Sequence, residues 1–237
     1  MTIIWCRSMA DMDGMTMPGD WTMSMTWMRM PGQTWLRAGA VFLGMWVMMM
    51  VAMMLPALAP VLWRYQQWAS RSAHARPARL TILVGLAYFS VWTMVGLAAF
   101  LVGITLATLA MQQPVLARAV PSLAGTVVLM AGALQFTRWK AHLLACCRGS
   151  SGHGGEFGPA NASNAWRYGL QLGSHCCQCC AGLTAILLVG GVMDLRMMAI
   201  VTAAISAERL AARGKTVAYA IGIVAVVGGL LLIVRNI

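Results

Sequence analysis

The sequence predicts an all-α fold, a polytopic transmembrane helix bundle of about six spans, preceded by a disordered Met-rich N-terminal tail. Three observations predict it. Of 237 residues, 60% are hydrophobic and only 10% charged, too little polar surface to clothe a soluble core of this size. Uncharged runs at 38–62, 80–117, 119–137, 168–193 and 216–234 match the roughly twenty apolar residues that cross a bilayer at ~1.5 Å each. The basic residues, which give a net charge of +11, gather in alternate loops, the asymmetry that marks a cytoplasmic face rather than a nucleic-acid surface.

Residues 1–36 form the tail, read as extracytoplasmic, and 37–237 the helical bundle. The tail lacks an apolar h-region, so no cleavable signal peptide is expected. It alternates Met, Asp, Gly, Pro and Trp with no helical stripe. Spans are expected at about 38–62, 80–110, 119–144, 166–190, 193–212 and 216–235. Pro56 and Pro60 should limit the regularity of the first span's inner end, where Trp63, Tyr65 and Trp68 suit the headgroup level. The second span is longer than a bilayer needs, and "MQQPVLARAVPS" reads as the turn after it. The third span carries on past Gln135 into Trp139 and Lys140. "CCRGSSGHGGEFGPANAS" reads as a Gly/Ser/Asn-rich inner loop. The fifth span is apolar only in its middle, with Asp194 and Arg196 near one end and Glu208 and Arg209 near the other. With the N-terminus outside, inner segments hold eleven basic residues against six outside, a bias that favours a multi-pass protein with both termini extracytoplasmic.

Within the first span, six methionines occupy residues 45–54. At about 100° per residue, Met45, Met49 and Met53 lie nearly in line, Met48 and Met50 flank them, and Met54 is farther round. Methionine is also an adaptable gap-filler between helices, which accounts for one or two such residues more readily than six. A thioether is a soft neutral donor that selects Cu(I) and needs no deprotonation. M-x-x-x-M on a first span is similar to the motif of high-affinity copper transporters.

The fourth span contains "HCCQCC". Helical spacing sets His175, Cys176, Cys179 and Cys180 within an arc of about 140°, with Cys177 and Gln178 elsewhere. Small cysteines also let helices approach closely, but a histidine and a glutamine in the same turn are costly in lipid unless they face a bundle interior or a cavity. Thiolates with an imidazole suit Cu(I) and, as a second ion, Zn²⁺. At the inner end of the third span His142 lies one turn from Cys146, and Arg148 beside Cys147 favours its thiolate. The candidate metal ligands are therefore Met45, Met49, Met50, Met53, His142, Cys147, His175, Cys176, Cys179 and Cys180. Asp194 and Glu208 read as helix-end charges or partners of Arg196 and Arg209. His74 and His153 read as solvated loop residues. The tail's Met9, Met12, Met15, Met17, Met23, Met25, Met28 and Met30 resemble the copper-collecting tails of bacterial copper proteins.

Together "MMMVAMMLP", "ALQFTRWK", "CCR", "CCQCC", "GGVMDLRMM" and Glu208 resemble a bacterial family of predicted metal-binding integral membrane proteins, domain-of-unknown-function family 2182. The resemblance covers residues 45–232 and implies metal binding without an established activity. This chain departs from that pattern, with Leu143 where a cysteine often lies, Asp194 where Asn is common and Gln178 where Gly is common.

The leading expectation is an inner-membrane protein that binds Cu(I), for transport or for delivery to a membrane copper enzyme. The lipid bilayer and that enzyme, or other membrane subunits, are its partners; nucleic acid is not. Two alternatives stay open: a thiol-disulfide redox protein working through the overlapping C-x-x-C pairs, and a structural helical subunit of a larger membrane complex. No P-loop, dinucleotide fingerprint or paired-carboxylate cleft supports hydrolytic or dehydrogenase chemistry.

Overall fold

A computed structural model describes residues 34–71, 76–147, 160–191, 194–211 and 214–235, together with two short strands in the tail, β1 (Met15–Met17) and β2 (Trp21–Met23). The described body is helical: α1 (Trp35–Ala69), α2 (Pro77–Gln112), α3 (Pro114–Leu134), α4 (Arg138–Cys147), α5 (Ala162–Gly190), α6 (Leu195–Leu210) and α7 (Gly214–Arg235). Of these, α1, α2, α3, α5 and α7 are long and apolar enough to cross a membrane.

Local chemistry explains the boundaries and several departures from expectation. The tail holds paired backbone, since β1 and β2 run antiparallel with Met15 opposite Met23 and Met17 opposite Trp21. Thr and Trp favour extended backbone there. Thr34 caps α1, its hydroxyl accepting from the Arg37 amide at 3.3 Å. Pro56 and Pro60 lie inside α1 and do not end it. Each omits one helical hydrogen bond, which frees the carbonyls of Ala52 and Pro56. The segment expected to turn after the second span is already helical, because Pro114 occupies the first turn of α3, where its missing N–H is harmless.

The third span is broken rather than continuous. Amides of Gln135, Phe136 and Thr137 bond back three residues, a tightened turn that ends α3. Thr137 then starts α4, its hydroxyl accepting from the Lys140 amide. The fifth expected span is α6, whose 16 residues measure about 24 Å against a hydrocarbon core of about 30 Å. Asp194 caps it, accepting from the Arg196 amide at 2.8 Å, and Gly191 makes the preceding turn at φ +111°, a conformation that favours glycine.

Glycines set the helix register. A Cβ on Gly169 would meet the Val84 carbonyl, and one on Gly173 the Tyr88 carbonyl. Four residues along α5 thus match four along α2, so the two helices run the same way. Gly96 makes room for the Trp46 indole, and Gly39 faces Phe100, so α1 runs antiparallel to α2. Helix α3 packs between α5 and α7, while α6 lies against α1, α5 and α7. Branched side chains such as Ile82, Leu86, Leu101, Ile223 and Leu231 point outward, whereas Trp46, Trp92, Met50, Met54 and Cys176 are fully buried.

Gly173→Leu should push α5 off α2, because even a Cβ there would stand 3.0 Å from the Tyr88 carbonyl oxygen and from Val91. The expected loss is about 1–3 kcal/mol, the usual cost of overpacking, read as a lowered melting temperature in detergent. An unchanged melt would contradict the parallel α2/α5 contact.

Candidate functional site

Helix α1 turns its sulfur inward. Met49, Met50, Met53 and Met54 are buried, Met45 is partly buried against the same cluster, and Met48 is 59% exposed. Helix α5 contributes Cys176 and Cys180, one turn apart, to that same buried cluster, with Cys177 packed partly buried at its edge. The helix register fixes the levels. From the Trp46/Gly96 contact, one turn down both helices sets Met50 beside Trp92, and a second sets Met54 beside Tyr88. The Trp46 indole N–H donates to the Trp92 carbonyl at 2.9 Å and ties α1 to α2 at this depth. Three residues beyond the Gly173/Tyr88 contact comes Cys176, so thiols and thioethers belong to one layer.

Polar groups converge on the thiols. The Tyr88 hydroxyl and Cys176 Sγ share a 2.8 Å hydrogen bond. Arg209, near the end of α6, donates through Nη2 to Cys176 Sγ at 2.8 Å and to Cys180 Sγ at 3.6 Å. Beside it, Glu208 pairs with Lys140 of α4 at 2.9 Å, with both side chains buried. Lys140 Nζ also donates to the Cys179 carbonyl at 2.6 Å. Glu208 is thus a partner of Lys140, where the sequence pointed to helix-end charge or to Arg209.

Other candidate ligands lie elsewhere. His175 and Gln178 are exposed. Cys179 is buried against Leu143, Leu144 and Ala218 rather than in the cluster that holds the thioethers, although its side chain also meets the Cys180 thiol. His142 is exposed on α4, and the side chains of Cys146 and Cys147 lie outside the described residues. So do His74, His153 and the tail methionines other than Met15, Met17 and Met23, whose backbone alone is described. Among the described residues, no three His, Cys, Asp or Glu side chains form a group that could hold a metal ion. A soft ion in this layer would need thioethers to complete its shell.

Tyr88, Arg209 and Lys140 belong to the layer although none is a metal-ligand residue type that the motifs bring forward. A counting signal for Arg209 was present: Cys176 stands fourteen residues before Gly190, the end of α5, and Arg209 fourteen after Leu195, the start of α6. An antiparallel pair joined by a tight turn therefore sets them level.

The family model of PpoB2, described as a copper chaperone, matches residues 43–232. The chain belongs to the PpoB2 family. The match runs from the methionines of α1 through nearly all of α7, so the layer just described is inside it. No curated protein and no solved structure matches the chain. Family 2182, suggested by the short motifs, is corrected by this finding, since PpoB2 is a different family. Short sulfur-rich strings are dictated by the ligand chemistry of soft metals, and so discriminate poorly between families that share it. Membership in PpoB2 supports a copper-related function.

Proposed function

We propose that this PpoB2 protein is a membrane copper chaperone that holds Cu(I) where the α1 thioethers meet Cys176 and Cys180, and passes it to a copper-requiring acceptor at the membrane. One observation carries the reading: Met49, Met50, Met53, Met54, Cys176 and Cys180 occupy a single buried cluster. Two thiolates with neutral thioethers make a soft donor set that suits Cu(I), while hard ions and the tetrahedral nitrogen and sulfur sites of Zn²⁺ find less there. Met45 is the outermost thioether of the set. The Met-rich tail, on the extracytoplasmic side in this reading, collects the ion under oxidising conditions where thioethers keep their ligand character better than thiols.

Holding and delivery are favoured over continuous transport by the aromatic packing on the Met45 side of the layer. Phe42 stacks with Trp46 at a centroid separation of 6.0 Å and meets Phe100 in a tilted contact at 5.0 Å, and all three are buried. Proteoliposomes bearing the protein should take up Cu(I) only to the amount bound, and release it to an added acceptor. Continuous accumulation in the lumen would identify a transporter instead.

Replacing Met49, Met50, Met53 and Met54 together by Leu conserves volume, and such exchanges usually cost little stability. Affinity for Cu(I), measured by competition with a chelator, should fall about tenfold or more as soft donors are lost. Unchanged affinity would reduce the methionines to core packing.

A further inference from the structure

We propose that Arg209 is the charge-selecting residue of this layer, favouring monovalent soft cations over divalent ones. The inference rests on the copper-holding reading above and adds a basis for its selectivity. A single guanidinium nitrogen, Nη2, donates to both Cys176 Sγ and Cys180 Sγ, at 2.8 and 3.6 Å. The positive charge is therefore fixed beside the two atoms that would carry negative charge in a metal complex.

The charge count follows from stoichiometry. A monovalent cation that replaces both thiol protons gives a bis-thiolate complex of charge −1 and releases two protons. Arg209 brings the assembly to zero. A divalent cation bound by the same two sulfurs gives a neutral complex, and Arg209 leaves the assembly at +1. Net charge at membrane depth is costly, so the first assembly is favoured. The neighbouring ions do not alter the comparison, because Lys140 and Glu208 are paired with each other at 2.9 Å and sum to zero. The Tyr88 hydroxyl on Cys176 is neutral, and His175 is exposed. Lysine would supply the same charge from a more strongly hydrated head, whereas Arg keeps several donors in a fixed plane.

The test uses the full chain purified in detergent, with Ag(I) as a monovalent soft ion that needs no reductant and Zn²⁺ as the divalent rival. Affinities for both are measured for the wild type, Arg209→Gln, Arg209→Met and Arg209→Lys, with melting curves to establish that each is folded. Two neutral variants are used so that failure of one to fold does not end the test. The ratio of Ag(I) to Zn²⁺ affinity should fall about tenfold or more in the neutral variants, as expected for removal of a unit charge a few ångströms from the ion. Arg209→Lys should retain most of the preference. A ratio unchanged in a folded neutral variant overturns the role of Arg209 while leaving the copper layer standing. A wild-type chain that binds neither ion removes the layer itself, and this inference with it.

Discussion

Cys176→Ser with Cys180→Ser should leave a folded bundle that no longer retains Cu(I), with affinity down by roughly two orders of magnitude or more. The two sulfurs share a buried cluster with the α1 thioethers and share the Arg209 guanidinium as donor. Serine keeps the volume and can still accept from Arg209 and Tyr88, so the polar contacts of the layer persist. What disappears is the pair of soft anionic donors. Position, not residue type, sets the expected contrast: Cys179 packs against Leu143, Leu144 and Ala218, outside the cluster of the thioethers, so Cys179→Ser should cost Cu(I) affinity far less than the double change. His175→Ala should behave the same way, because that imidazole is exposed. Anaerobic loading followed by metal analysis checks all three. Retention surviving the double change, or lost equally in Cys179→Ser, would mean that the thiols of this layer are not the binding groups.

The second large effect is on stability. Lys140→Met leaves the Glu208 carboxylate buried without its cation, and Glu208→Gln does the converse to Lys140. Only one carboxylate oxygen of Glu208 has a hydrogen-bond partner among the described residues, so removal of the lysine strips most of what compensates its burial. Breaking a buried pair from one side costs about 3–5 kcal/mol, whereas replacing both partners by apolar groups is often close to neutral. Each single variant should therefore melt well below the wild type, and the double variant Lys140→Met with Glu208→Met should recover most of the loss. The pair joins α4 to α6 and, through the Cys179 carbonyl, to α5. A single variant as stable as the wild type would show that the pair does not hold α4, α5 and α6 together.

Most of the architecture was legible because bilayer thickness and hydropathy constrain it directly. Helices α1, α2, α5 and α7 coincide with uncharged runs, extended by a few residues at their ends. What was not legible depended on backbone detail or on neighbours. Pro114 was read as part of a turn, yet at the first position of a helix proline's missing N–H costs nothing. The break at 135–137 carries no glycine or proline, and nothing in "LQFTR" distinguishes it from continued helix. Two prolines inside α1 pointed to irregularity but were absorbed, because the helix is held along its length by α2 and α6.

The site divides in the same way. Spacing by four set Met45, Met49 and Met53 on one face, and that face turns inward, but the buried arc is shifted round the helix: Met54, read as farther round, is fully buried, and Met48, read as a flank, is exposed. The 140° arc drawn for α5 was wider than the face that α1 and α6 cover: at one edge His175 is exposed, and Cys179, next to it in the arc, meets α4 and α7. Arg209 and Lys140 read from the sequence as a carboxylate partner and a span-end charge, because a cation at the end of an apolar run gives no sign of what it meets. Only the pairing of α6 against α5, and of α4 against α6, brings those charges to the depth of the thiols.

The central claim is that thioethers of α1 and thiols of α5 touch the same ion. X-ray absorption at the copper edge of Cu(I)-loaded protein grown with selenomethionine tests it most directly, because the two donor types then scatter as different elements. Sulfur and selenium should both appear in the first shell, with the selenium contribution lost when Met49, Met50, Met53 and Met54 are leucine. A shell of sulfur alone in the selenomethionine protein would contradict the claim.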